Sequence, residues 1–310
     1  MHRRATPQPP ARVSARAAFP GVPCLLLLFS ALMAVASRGF FETDEITHFL
    51  KARELPGQPV VLLDIWGRPA CTGIFGVAAT FSSKHAGLIA ARLLAVGITA
   101  LIGIGTVRVY RRLRESAGDV GVSGRTVVPD APGSGAQAAW LWLLLFAQPL
   151  FLMNSFAVMT EPLLACAWIW AAATLLGKGR GRWMWAGLLV GLGGLARPEG
   201  WFAIALWPLL LVAWAKWAGA PHGTRLPRPS GALTAPRWFI SSFAAGLPML
   251  IWYIAGWVVY RSPGWFIARW PWQVKSQYGP TGAVFVAAAL IALAVWMWVP
   301  VLIALGAAVR

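Results

Sequence analysis

The sequence predicts an all-α integral membrane protein with about eight transmembrane helices and one amphipathic helix on the outer face. Three observations carry that reading. Apolar residues make up 58% of the 310 residues and charged residues 12%, against roughly 25% charged in an ordinary soluble domain. The apolar residues gather in repeated runs of about 20, the length that spans the hydrocarbon core as a helix. The Lys and Arg residues fall mostly in short gaps between the runs, and many of the 19 Trp sit near run ends, as in interfacial belts.

Residues 1–20 are rich in Pro and Arg (Arg3, Arg4, Arg12, Arg16) and read as a disordered, basic cytoplasmic segment. Residues 21–310 read as one multi-pass transmembrane domain. The first span covers 24–41, and Ala34-Val35-Ala36 near its end resembles a signal-peptidase site. Cleavage there would not alter the orientation of the later spans. Residues 42–69 form a polar loop holding five of the ten acidic residues. Within it Ile46, Phe49 and Leu50 recur at i, i+3 and i+4, which predicts a short amphipathic helix lying on the interface.

The next apolar stretch, 70–107, is interrupted by Ser82-Ser83-Lys84-His85 and followed by Arg108, Arg111, Arg112 and Arg114. After a Gly/Pro-rich connection, 138–156 and 157–177 predict a helical hairpin turning near Asn154. A span over 183–196 is broken by Arg197-Pro198-Glu199 and continues over 201–217. The segment 238–260 spans again, 261–279 is an aromatic loop, and 282–305 is the last span. No internal repeat is evident.

Orientation is set by the loop charges. With a cytoplasmic N-terminus and eight crossings, the gaps at 1–20, 108–137, 178–182 and 216–237 all fall inside, and they hold sixteen of the 27 Lys and Arg. The positive-inside rule thereby accounts for the net charge of +17. A nucleic-acid groove would instead gather the bases on one folded surface, so no nucleic-acid partner is expected. Cys24, Cys71 and Cys166 are too scattered for a metal or redox pair.

The same orientation places seven of the ten acids on the outer side. Glu161 and Glu199 fall at membrane depth or at a helix end, where an unpaired charge costs about 3 kcal/mol or more. An outward-facing polar cleft explains them most economically.

Phe41-Glu42-Thr43-Asp44-Glu45-Ile46-Thr47-His48-Phe49, directly after the first span, resembles the Asp-Glu signature in the first outer loop of GT-C-type membrane glycosyltransferases. That superfamily includes the protein mannosyltransferases, the aminoarabinose transferases and the mannosyltransferases of glycolipid anchors. Leu55-Pro56-Gly57, Gly67-Arg68-Pro69, Ala91-Arg92-Leu93, Thr160-Glu161-Pro162 and Leu195-Ala196-Arg197-Pro198-Glu199-Gly200 come in an order similar to this group's. The resemblance covers roughly residues 22–280, although members usually carry more spans than the eight read here.

The resemblance implies transfer of a sugar from a polyprenyl-phosphate carrier to a lipid, glycan or protein acceptor at the outer face of the plasma membrane. Asp44 would be the general base that takes the acceptor hydroxyl's proton, with Glu45 beside it contacting acceptor or donor. Thr43 or Asp44 also suits the N-cap of the interfacial helix, a role compatible with the first. The departing lipid phosphate needs cationic donors, and Arg197, Arg92, Arg269 and Lys275 are candidates. Arg197 is preferred, because a broken helix sets it at the cleft, while a structural role suits Arg92 better. Glu161, Glu199 and His48 are cleft candidates. His48 also reads as a structural residue on one face of the helix.

There is no Asp-x-Asp, Gly-rich phosphate loop, Ser/His/Asp set or Cys/His cluster, so no resident metal or cofactor is expected. Only Glu42-x-Asp44 has the spacing to hold a divalent cation with waters. Two other classes compete: a multi-pass transporter or flippase, which predicts inverted repeats, and a non-catalytic membrane subunit.

The loop arithmetic generates a topology prediction. Single cysteines introduced within 108–137 and 220–235 should be shielded from membrane-impermeant thiol reagents in intact cells, and those at 55–60 and 262–268 should label. Labelling of the basic connections from outside would reverse the orientation.

Overall fold

Helices account for all the regular structure of the computed structural model. It describes residues 21–40, 42–64, 68–81, 83–118, 134–179, 181–219 and 233–269, and among these there is no strand. The segment 1–20, the span read at 282–305 and Lys275 lie outside the described residues. The chain falls into two compact units, Met1–Ala255 and Gly256–Arg310, where the sequence reads a single domain over 21–310.

In order the helices are α1 (Gly21–Ala36), α2 (Thr43–Glu54), α3 (Pro69–Ala79), α4 (Lys84–Gly118), α5 (Ser134–Phe146) and α6 (Pro149–Asn154). They continue with α7 (Glu161–Leu175), α8 (Arg182–Ala196), α9 (Glu199–Gly219), α10 (Ala235–Tyr260) and the single turn α11 (Trp265–Ala268). A 3-10 turn, Pro59–Leu63, joins α2 to the approach of α3. Among the described residues two helices, Lys84–Arg114 and Ala235–Tyr260, are long and apolar enough to cross a membrane by length and composition. The other apolar helices are shorter. The 11 residues of α3 rise only about 16 Å.

Several boundaries differ from the sequence reading, each for a local reason. The first helix stops at Ala36 rather than running to residue 41. The carbonyls of Ser37 and Gly39 accept from the Arg92 guanidinium at 2.9 and 2.5 Å, so they turn toward α4 instead of propagating the helix. The stretch 70–107 divides where Ser82-Ser83-Lys84-His85 interrupts it, with α4 opening at Lys84. Arg53 of α2 donates to the carbonyls of Ala79 and Phe81, both at 2.9 Å, and so satisfies the end of α3.

The hairpin read over 138–177 is more broken than its apolarity implies. Pro149 holds Gln148 extended (φ −81°, ψ 115°) and starts the short α6, while Pro162 sits in the first turn of α7. Residues 155–160 between them are not helical. Their polar groups bond elsewhere: Ser155 Oγ pairs with Ser30 Oγ at 2.8 Å and its carbonyl accepts from Thr99 at 3.1 Å.

Helix α2 turns a different face inward from the one its apolar spacing names. Glu45, His48, Phe49 and Ala52 are buried, at i, i+3, i+4 and i+7, whereas Leu50 is 40% exposed. Glu45 explains the rotation. Its carboxylate and the Arg92 guanidinium form a two-pronged pair, Nε to Oε1 and Nη2 to Oε2, both at 2.9 Å, and both side chains are fully buried. Glu45 Oε1 also accepts from the Val158 amide at 3.2 Å. One ion pair thus ties α2 and α4 to the end of α1 and to the segment before α7. Phe49, Phe75, Ala91, Ala95, Val158 and Leu163 pack in the core around it.

Breaking one side of a buried pair costs about 3–5 kcal/mol, because the surviving charge is left in a low dielectric. Arg92→Met alone should therefore destabilise the purified protein by about that much, read by thermal or chemical denaturation in detergent. Adding Glu45→Leu should recover part of the loss. A single mutant within 1 kcal/mol of the parent would contradict the burial described (about one-third of the expected cost).

Candidate functional site

A second cluster of charged side chains is built from helix starts. Arg197 ends α8 in an extended conformation (φ −153°, ψ 148°) and Glu199 opens α9. Gly200 permits the tight turn: a Cβ there would lie 2.6 Å from Gly194 Cα. The Arg197 guanidinium clasps Glu199 through Nε and Nη2, both at 3.0 Å, and reaches Glu161 at the first turn of α7 through Nη1. Thr160 Oγ1 bonds Glu161 at 3.3 Å. The broken helix that the sequence places between 196 and 201 therefore brings Arg197, Glu161 and Glu199 together.

These groups are partly open: the side chains of Arg197, Glu161 and Glu199 are 25%, 40% and 54% exposed. Exposed pairs of this kind contribute about 0–1 kcal/mol, so their arrangement exchanges partners at little cost. The contrast with Glu45 and Arg92 is decisive for roles. Arg92, a donor-phosphate candidate by sequence, has its guanidinium enclosed and directed at Glu45 and two backbone carbonyls. Glu45 is equally enclosed, and His48 is 5% exposed on the packed side of α2. All three sit in the frame of the molecule as described, and none faces solvent.

Asp44 does. It is exposed beside the buried Glu45 and, among the described residues, takes part in no ion pair. The N-cap of α2 is Glu42, extended at φ −151° and ψ 156° and without a side-chain cap bond. The capping role read for Thr43 or Asp44 is thereby corrected: both stand inside the first turn. A carboxylate there gains about 0.3–1 kcal/mol from the helix dipole. Among the described residues no three His, Cys, Asp or Glu side chains gather as a metal site.

Arg68 joins this site, although the sequence marks it only as the entry to a span. It caps α3 ahead of Pro69 with φ at 58°, a left-handed conformation that L-residues rarely adopt. Burial lowers the pKa of its guanidinium below the ordinary arginine value, and the neighbouring Arg197 pushes the same way. Glu199 and Asp44 oppose both by favouring the charged form. Arg68, Arg197, Trp201, Met249 and Trp252 line one small cleft. Its indoles are fixed, Trp201 donating to the Gly194 carbonyl at 2.8 Å and Trp252 to that of Leu62 at 2.9 Å. The cleft is thus lined by two cations and two indoles, with Glu161 and Glu199 bonded to Arg197 and the charges of Glu199 and Asp44 acting on Arg68.

Arg269 belongs to the second unit, where its guanidinium lies 3.8 Å from the centroid of the Tyr260 ring. Lys275, the remaining donor-phosphate candidate, is outside the described residues.

Backbone strain at Arg68 separates stability from function. A left-handed non-glycine residue costs on the order of 1–3 kcal/mol, and glycine takes that conformation freely. Arg68→Gly should therefore melt no lower than the parent in detergent while losing whatever the guanidinium does in the cleft. A marked fall in melting temperature would make Arg68 a packing residue.

Compared with protein-family models, with curated proteins and with solved structures, the chain matches none.

Proposed function

We propose that the chain is a membrane glycosyltransferase that moves a sugar from a polyprenyl-phosphate carrier to an acceptor hydroxyl at the extracytoplasmic face. The observation that carries this reading is a cleft lined by Arg68 and Arg197, with Glu161 and Glu199 bound to Arg197 and the charges of Glu199 and Asp44 acting on Arg68. In support, large apolar side chains such as Leu25, Phe202 and Leu209 are 66–73% exposed along the helices, as lipid-facing positions are. The topology that goes with the reading has eight crossings, a cytoplasmic N-terminus and the cleft on the outer side.

The chemistry then divides among the residues. The acceptor oxygen attacks the anomeric carbon as Asp44 takes its proton, and the sugar–phosphate bond breaks with its electrons leaving on the lipid phosphate. Arg68 and Arg197 stabilise the charge that develops there. Arg197 reaches the phosphate by exchanging one of its half-exposed carboxylate partners for a phosphate oxygen. Glu161 and Glu199 hold Arg197 in place until the donor arrives. Trp201, half-buried at the cleft, offers a face on which a sugar ring stacks, and the buried Trp252 backs that wall.

The direct test is incubation of the purified protein with several polyprenyl-phosphate sugars, measuring release of free lipid phosphate. Turnover on a soluble nucleotide sugar without carrier lipid would refute the donor assignment. Asp44→Asn is the sharper probe. It keeps the side chain's size and loses only the small dipole contribution to stability, but it cannot accept a proton. General-base catalysis is worth about 10²–10⁴-fold in rate, so Asp44→Asn should purify like the parent and turn over at least about a hundredfold more slowly. Retention of about a third of parental turnover would exclude Asp44 as the base (the loss being far below the general-base range).

A further inference from the structure

The opposite end of α7 carries a cluster of cations that the proposed reaction does not use. Arg112 of α4 donates to the Ala173 carbonyl at 3.0 Å, and the buried Arg182 at the start of α8 donates to that of Gly177. Two guanidiniums therefore meet at one helix C-terminus, the end of the dipole that favours cations. Exposed Lys178 lies in the same turn, and Arg108 stands over the Trp170 ring, 5.4 Å from its centroid.

Helix α10 adds a third guanidinium. A Cβ on Gly187 would meet the Ser241 carbonyl oxygen at 2.1 Å, and one on Gly191 would meet that of Ala245 at 2.4 Å. Because both pairs advance by four residues in the same sense, α8 and α10 run parallel with their backbones in close approach. Their starts are consequently side by side, and the charge of Arg237 acts against that of Arg182. Just beyond these cations both helices present bare apolar surface. Trp185 is 57% exposed, Phe239 62% and Phe243 55%, the two phenyl rings stacked 6.2 Å apart.

We infer that this end of the helices binds an anionic phospholipid, its phosphate seated among Arg112, Arg182 and Arg237 and its acyl chains along Phe239, Phe243 and Trp185. A soluble anion would use the guanidiniums and leave the aromatic surface empty, whereas a phospholipid places charge and hydrocarbon in this same order. The inference rests on the membrane reading of the chain and is independent of sugar transfer.

The test uses the full-length chain released from mixed micelles holding equal phosphatidylglycerol and phosphatidylcholine, with retained lipid read by native mass spectrometry. Phosphatidylglycerol should be retained preferentially. Arg237→Gln removes an exposed cation without disturbing the packed Arg182, and should cut that preference about fivefold, the factor one basic residue near an anionic surface supplies. Arg38→Gln, an exposed cation beyond the far end of α1, should leave it unchanged. Equal retention of the two lipids, or an equal loss in both variants, would overturn the site. Displacement by the deacylated headgroup at comparable concentration would overturn the lipid assignment and leave a plain anion site. Carbonate extraction of cell membranes separates the two failures. A chain that washes off fails the membrane reading, and one that stays but shows no lipid preference fails this inference alone.

Discussion

The packing of the first unit depends on one ion pair with no access to water. Glu45 and Arg92 stand 47 residues apart, and neither belongs in an apolar core alone. Buried together they satisfy each other with two 2.9 Å bonds, and the remaining valences go to Ser37, Gly39 and Val158. Each of those bonds fixes something that sequence patterns leave free: where α1 stops, which way α2 is rotated, and where the chain before α7 lies. A hydrophobic pair of equal volume would often be as stable or more so. It would not name those backbone carbonyls and that amide, so the pair contributes geometry more than net free energy.

Fixing α2 in this way separates two adjacent carboxylates by role. Glu45 points into the core and is bound there, while Asp44, one residue earlier, is turned outward and exposed. The second ion-pair group, Arg197 with Glu161 and Glu199, is of the other kind. Its partners are a quarter to a half exposed, where Coulomb attraction is largely offset by hydration and side-chain entropy. The two groups therefore differ in burial and in what they contribute, the enclosed pair fixing backbone positions and the open pairs adding little net stability.

How much of this is legible in the sequence varies with the physics of each element. The breaks at 82–85 and 197–199 are readable because a polar cluster and an Arg-Pro-Glu step interrupt apolar runs, and both fall where the helices end. The ion-paired group of Arg197, Glu161 and Glu199 is readable for a related reason: charges at a helix end need water or partners. The inward face of α2 is not, because apolar spacing favours Ile46, Phe49 and Leu50 and cannot weigh a carboxylate that finds its guanidinium in another helix. Arg68 escapes the sequence reading although a signal exists, since a residue before proline resists helix and this one is a cation in an acid-rich loop. A plain hairpin at 138–177 is too simple, because the apolar run there hides the breaks that Pro149 and Pro162 impose.

Helix α7 links the two charged ends. Glu161 stands at its N-terminus, where a carboxylate complements the positive end of the dipole, and Arg112 and Arg182 reach its C-terminal carbonyls, where cations complement the negative end. The side chains at its two ends therefore agree with the polarity of the helix, a carboxylate at the positive end and guanidiniums at the negative end. Arg182 shows that the agreement is not local propensity alone. As the first residue of α8 it meets the positive end of its own helix, an unfavourable place for a cation, and Arg237 adds to the repulsion. Among what holds it there are the Gly177 carbonyl just past α7 and the face of the Trp183 ring, whose centroid is 5.0 Å away. The antiparallel pairing of α7 and α8 is thus written into a side chain that α8 by itself would reject.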